Sequence, residues 1–107
     1  MHNASICHWN IRGYRANYYH LRTLISDSQA VVFCLQETMM PDPIPNPPRG
    51  FTMLQLRGPR HGGPVNAGGV CTLVKSTIGH TPIALNTDFQ AVAVRCQLDR
   101  TYSICNL

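Results

Sequence analysis

The sequence predicts an α+β domain: a mixed β-sheet with one main helix. Three observations lead there. Residues 5–10, Ser-Ile-Cys-His-Trp-Asn, and residues 30–38, Ala-Val-Val-Phe-Cys-Leu-Gln-Glu-Thr, are apolar runs that stop at a polar side chain. The stretch between them has helical spacing. Four further short apolar runs follow, with turn signals between them.

The first strand covers residues 4–9, with Asn10 at its end. Gly13 then permits a turn. From Asn17 to Ser26, Tyr18, Leu21, Leu24 and Ile25 recur on one helical face, and Asn17 is the expected N-cap. Residues 30–36 are rich in β-branched and aromatic types and form the second strand. Strand, helix, strand is a βαβ unit, whose two strands run parallel.

Residues 39–50 hold five of the eight prolines, which makes this segment a stiff, exposed loop. It could dock on an SH3-type domain, but a surface connection is the simpler reading. Residues 51–57 alternate like a strand, a Gly-, Pro- and Arg-containing loop follows at 58–67, and residues 69–75, 89–98 and 101–107 give three more strands. Asp99-Arg100 marks a tight hairpin between the last two. The final strand ends without a cap or polar tail, so the expectation is a chain cut in mid-strand: residues 1–107 as a partial domain.

Composition narrows the function. A chain of 107 residues is one domain at most. Only 13% of its residues are charged, against about a quarter in ordinary soluble domains. Some apolar surface is therefore expected to meet a partner or further sequence. The net charge is +4, and eight of the nine basic residues are arginine. Arginine's planar fork suits phosphate, so the balance favours polyanions over membranes, although a mildly basic surface explains it as well. Cys7, Cys34, Cys71, Cys96 and Cys105 are odd in number, form no CxxC pair, and all lie inside apolar runs. They read as small buried thiols in a reducing, intracellular compartment, not as a zinc site. There is neither a signal-peptide pattern nor a membrane-length apolar run.

The chemistry concentrates at two strand ends. Glu37 is the only glutamate. A lone carboxylate in such a place suits magnesium, which keeps most of its waters and needs one or two carboxylates plus substrate phosphates. Asn10 could hold a phosphate oxygen or orient a metal-bound water, and Arg12 and Arg15 could clamp phosphates. Taken singly, Asn10 is an ordinary turn residue and Glu37 a solvated one. Together, at the ends of adjacent strands of one βαβ unit, they form a candidate site, because α/β units place chemistry beyond the carboxyl ends of their strands. Gly68-Gly69 opens a strand with no helix after it, so close backbone packing is expected there and not phosphate binding. His8 reads as a core or sheet histidine and Trp9 as core. His2, His20, His61 and His80 are scattered without a carboxylate partner and supply no general base.

Trp9-Asn10-Ile11-Arg12-Gly13, Leu35-Gln36-Glu37-Thr38, Gly68-Gly69-Val70 and the stretch from Phe89 to Leu107 form an ordered set. This set resembles the endonuclease/exonuclease/phosphatase superfamily. Within it, the chain looks most like the apurinic-type endonuclease domain of non-LTR retrotransposons of the LINE or jockey kind. The resemblance implies the N-terminal half of a four-layer α-β-β-α sandwich and a Mg2+- or Mn2+-dependent phosphodiesterase. It implies Glu37 as metal ligand and Asn10 as the amide near metal and phosphate. It also implies DNA as substrate, nicked in the nucleus to prime reverse transcription, with a reverse transcriptase domain or the absent C-terminal half as partner. A phosphatase of the same superfamily and a non-catalytic nucleic-acid- or protein-binding remnant are the alternatives. The family's Tyr-x-Pro, Asp-x-Asn and Asp-His motifs do not occur in these residues. The expectation is therefore a single main sheet with a bare inner face, an unstable or aggregating fragment, and no activity alone. Tyr14 stands where such elements often have Leu.

Overall fold

A computed structural model describes residues 5–58 and 68–107. The elements are β1 (Ser5–Asn10), α1 (Tyr18–Asp27), β2 (Ala30–Gln36), β3 (Phe51–Leu56), β4 (Val70–Lys75), β5 (His80–Ile83), β6 (Val92–Gln97) and β7 (Thr101–Asn106). No helix among the described residues is long and apolar enough to cross a membrane.

The βαβ unit forms as expected. β1 and β2 pair in parallel, with Cys7 beside Phe33 and Asn10 beside Gln36. β4 lies antiparallel to β2 on its other side, and β3 pairs with β4, giving the order β1-β2-β4-β3. Mixed pairing and, among the described residues, one helix make this an α+β fold.

The remaining strands correct the expectation of a single main sheet. β5, β6 and β7 form a second, antiparallel sheet. It packs on the first through Val94, Cys96 and Ile104 against Val32, Cys34 and Val74. The inner face of β2 and β4 is therefore covered, and β2 and β4 are buried on both sides. The opposite face carries α1: Leu21 packs with Phe33, Leu35, Cys71 and Leu73, and Trp9 joins their edge. The described layers are thus helix, four-stranded sheet and three-stranded sheet.

β5 gave no sequence signal, being only four residues long with a proline at its second-last position. Proline is tolerated there because β5 is an edge strand. β6 is shorter than expected, and residues 89–91 lie outside it. The 98–100 hairpin is closed by Leu98 N–H donating to the Arg100 carbonyl at 2.9 Å.

Sheet stacking is offset. β7 lies over β2 and β4, and β6 over β4 and β3. On β1, the residues facing the second sheet's side, Ile6, His8 and Asn10, remain exposed. His8 is thus a solvent-facing sheet residue and not core. Not every cysteine is buried: Cys34, Cys71 and Cys96 are, Cys7 is only partly so, and Cys105 is exposed on the uncovered outer face of β7. All five are free thiols. The proline-rich segment has no regular structure, as expected, but Met40 and Pro48 are buried and anchor it. The 58–67 loop lies outside the described residues apart from Gly58, and His2 and His61 also fall outside them.

Candidate functional site at the carboxyl ends of β1 and β2

Three chain segments meet where β1 and β2 end. Ile11 N–H donates to the Gln36 carbonyl at 3.1 Å, Gly13 N–H to the Glu37 carbonyl at 2.8 Å, and Tyr14 N–H to the Thr38 carbonyl at 2.7 Å. The loop after β1 is thereby stitched to the residues after β2. Thr38 N–H and Met39 N–H donate in turn to the Gly69 and Gly68 carbonyls, which brings in the start of β4. The geometry demands unusual backbone: Arg12, Glu37 and Met39 all have positive φ, at 52°, 50° and 46°. Non-glycine residues rarely adopt this region, and clusters of them mark functional loops.

Gly69 bears out the close-packing expectation. Its φ is +97°, and a Cβ there would lie 2.7 Å from the Thr38 hydroxyl and 3.2 Å from the Leu56 carbonyl. Its N–H donates to the Gln90 side-chain oxygen at 2.9 Å. The Thr38 hydroxyl is buried with no partner of its own.

Asn17 precedes α1, but its side chain does not cap the helix. Instead its Nδ2 donates backward to the Ile11 carbonyl at 2.8 Å and the Arg12 carbonyl at 3.3 Å. The expected cap is thus a brace for the loop carrying Arg12. Tyr14 is buried, and desolvation, with smaller contributions from Cys71 and Tyr18, pushes its phenol well above the ordinary range. It is a neutral core group and no acid catalyst.

Asn10, Arg12 and Glu37 come together at this end of the sheet. Asn10 and Gln36 sit side by side in the β1–β2 register, one residue short of Glu37. The Arg12 guanidinium approaches the Glu37 carboxylate at 4.0 Å, with both side chains well exposed. An exposed pair of this kind contributes little stability. It does hold an anion-seeking group next to a cation-seeking one. Arg15 is exposed in the turn before α1 and makes no ion pair among the described residues. His20 is exposed on α1, and His80 hydrogen-bonds locally to the Ile78 carbonyl through Nδ1 at 2.8 Å, so neither approaches Glu37's role as a partner.

Sequence reasoning missed Asn106. It is 2% exposed, at the end of β7. Its Oδ1 accepts from Gln36 Nε2, and its Nδ2 donates to the Leu35 carbonyl, the Cys71 carbonyl and the Thr72 hydroxyl at 3.0–3.2 Å. One signal was available: Asn106 shares the alternation of Ile104, whose side chain faces the first sheet.

No group of three or more His, Cys, Asp or Glu that could hold a metal occurs among the described residues. One half-exposed carboxylate beside an amide fits a hard, largely hydrated cation. The Arg12 guanidinium lies alongside, and this end of the sheet is open to solvent. In the comparison with known families, residues 7–106 match the endonuclease/exonuclease/phosphatase family, and the chain belongs to it. Members of this family are generally divalent-metal dependent. The match spans every strand described above except the first two residues of β1. No curated protein matches the chain.

Proposed function

We propose that this chain carries the Asn10–Glu37 side of a divalent-metal-dependent phosphodiesterase that nicks DNA, as in the endonuclease domains of non-LTR retrotransposons. The observation that carries the reading is the stitching of the β1 and β2 ends, which presents Asn10, Arg12 and Glu37 in one place. Glu37 would hold Mg2+ or Mn2+, with Asn10 near it. The ion would supply Lewis-acid stabilisation of charge on the phosphoryl oxygens. The chain's own residues bind and orient. Arg12, already beside Glu37, offers a planar donor fork to a phosphate, and the arginine-rich composition supports a polyanion. Arg15 extends the same basic surface.

Attack on phosphorus also needs a group that orients water and accepts its proton. Among the described residues no histidine or aspartate stands with Glu37. We therefore read residues 1–107 as a partial domain, inactive alone, whose Asp/His half is supplied by further sequence or by a partner. The test joins this chain to the sequence encoded next to it and presents supercoiled plasmid, RNA, phosphomonoesters and inositol phosphates in Mg2+. Plasmid nicking that falls to background in Glu37→Ala supports the proposal. Hydrolysis of phosphomonoesters alone would move the site to the phosphatases. Salt-sensitive DNA binding that survives Glu37→Ala, without cleavage, would make the chain a binding module.

A further inference from the structure

Glu37 has little side-chain support. Its carboxylate is half exposed, and its one ion pair among the described residues is the 4.0 Å approach of Arg12. Its position is therefore set through the main chain. Its carbonyl accepts Gly13 N–H, and Thr38 N–H on one side of it is tied to Gly69. On the other side is Gln36, where the amide of Asn106 arrives from the second sheet.

An amide buried between two sheets is costly unless its groups are met. Asn106 meets them in one place: the Leu35 carbonyl and the Gln36 side chain at the end of β2, and the Cys71 carbonyl and the Thr72 hydroxyl near the opening of β4. The buried apolar cluster between the sheets is built from Val32, Cys34, Val74, Val94 and Cys96. Among the described residues the buried Gln36 oxygen has no partner, so its Nε2 bond to Asn106 is the side chain's tether. A polar bridge placed at the site end is explained by what it holds.

We infer that Asn106 is a positioning residue for Glu37, acting through Gln36: the second sheet grips the end of β2 and fixes where the carboxylate leaves it. The inference rests on Glu37 as the cation-holding residue proposed above. It predicts that loosening the amide pair changes local geometry at Glu37, and not merely the adhesion of the two sheets.

Gln36→Leu removes the amide–amide bond and leaves the Asn106 Nδ2 contacts with Leu35, Cys71 and Thr72, and Asn106→Ala removes the whole bridge. Val94→Ala is the control, weakening inter-sheet packing away from the pair. The readout is amide hydrogen exchange in the 107-residue chain at Gly13 and Tyr14, whose N–H groups report the Glu37 and Thr38 carbonyls, relative to the amides of β4. Mn2+-induced broadening of the same signals is followed in parallel. In Gln36→Leu, exchange at Gly13 and Tyr14 should rise about tenfold relative to β4, and the Mn2+ effect should weaken. In Val94→Ala, both regions should rise together. An unchanged Gly13/Tyr14-to-β4 ratio in Gln36→Leu overturns the inference and leaves Asn106 as inter-sheet adhesion. Should Asn106→Ala fail to fold, Gln36→Leu still decides. If Mn2+ broadening in the wild type is indifferent to Glu37→Gln, the cation reading fails, while the exchange ratio separately judges the positioning claim.

Discussion

The two faces of the central strands β2 and β4 are built differently. Toward the helix they present large side chains: Phe33, Leu35 and Leu73 pack with Leu21, Tyr14 and Met40. Phe33 also meets Phe51 edge-on, with ring centroids 5.6 Å apart. Toward the second sheet they present Val32, Cys34 and Val74, answered by Val94 and Cys96. Each face has an asparagine amide that hydrogen-bonds main chain. Asn17 braces the Arg12 loop on the helix side, half-buried, and Asn106 bridges to Leu35 and Cys71 on the sheet side, fully buried. The difference teaches how the site is held. Large residues fill the gap beneath a cylinder. Small ones let two sheets come close enough for a side chain as short as asparagine to hydrogen-bond the opposite backbone.

The largest expected effect separates the faces by size. Phe33→Ala should destabilise the chain by about 3–5 kcal/mol, and Val94→Ala by about 2 kcal/mol, measured by denaturant unfolding. Equal losses would break the comparison, because they would mean that the helix-side cavity collapses around the missing ring.

Alkaline pH sharpens it next. Burial, with a smaller repulsion from Cys34, pushes the Cys71 thiol on the helix side up to about 12. Burial raises Cys34 and Cys96 on the sheet side as well. A thiol raised above its unfolded value keeps its proton longer in the folded state. Stability is therefore intact below about pH 9 and lost as pH climbs toward 12, by up to about 1.4 kcal/mol per pH unit for Cys71. Thermal melts of wild type and Cys71→Ala across pH 8–11 check this. The variant should show a shallower alkaline decline, and an identical slope would rule Cys71 out as the cause.

The smallest effect tests the braces. Asn17→Ala removes a half-buried hydrogen bond at 2.8 Å and should cost about 1 kcal/mol, seen as a modest drop in melting temperature. A loss as large as that of Phe33→Ala would show that the Arg12 loop, and not the apolar face, controls stability on the helix side.

Much of this arrangement could be read from the chain. The helical spacing of Tyr18, Leu21, Leu24 and Ile25 and the apolar run at 30–36 located α1 and β2 within a residue or so. The polar stops at Asn10 and Glu37 marked where β1 and β2 end. Gly68-Gly69 marked close packing. Other features escaped. β5 was too short and too proline-marked to register. Cys105 resembled its buried counterparts, since alternation does not say which face another layer will cover. Asn17 has the residue type of a cap, but its side chain found a better acceptor in a loop six residues away.

By itself, then, the sequence determined the local periods, the βαβ order, the family and the identity of the residues at the strand ends. These follow from side-chain chemistry repeated over a few residues. Only the tertiary structure decided that β5, β6 and β7 form a second sheet over the first, and that Asn106 comes to rest against Gln36, 70 positions away in the chain. Such long-range pairings depend on which faces meet and how closely they approach. That is settled by packing the whole chain at once, and no local pattern encodes it.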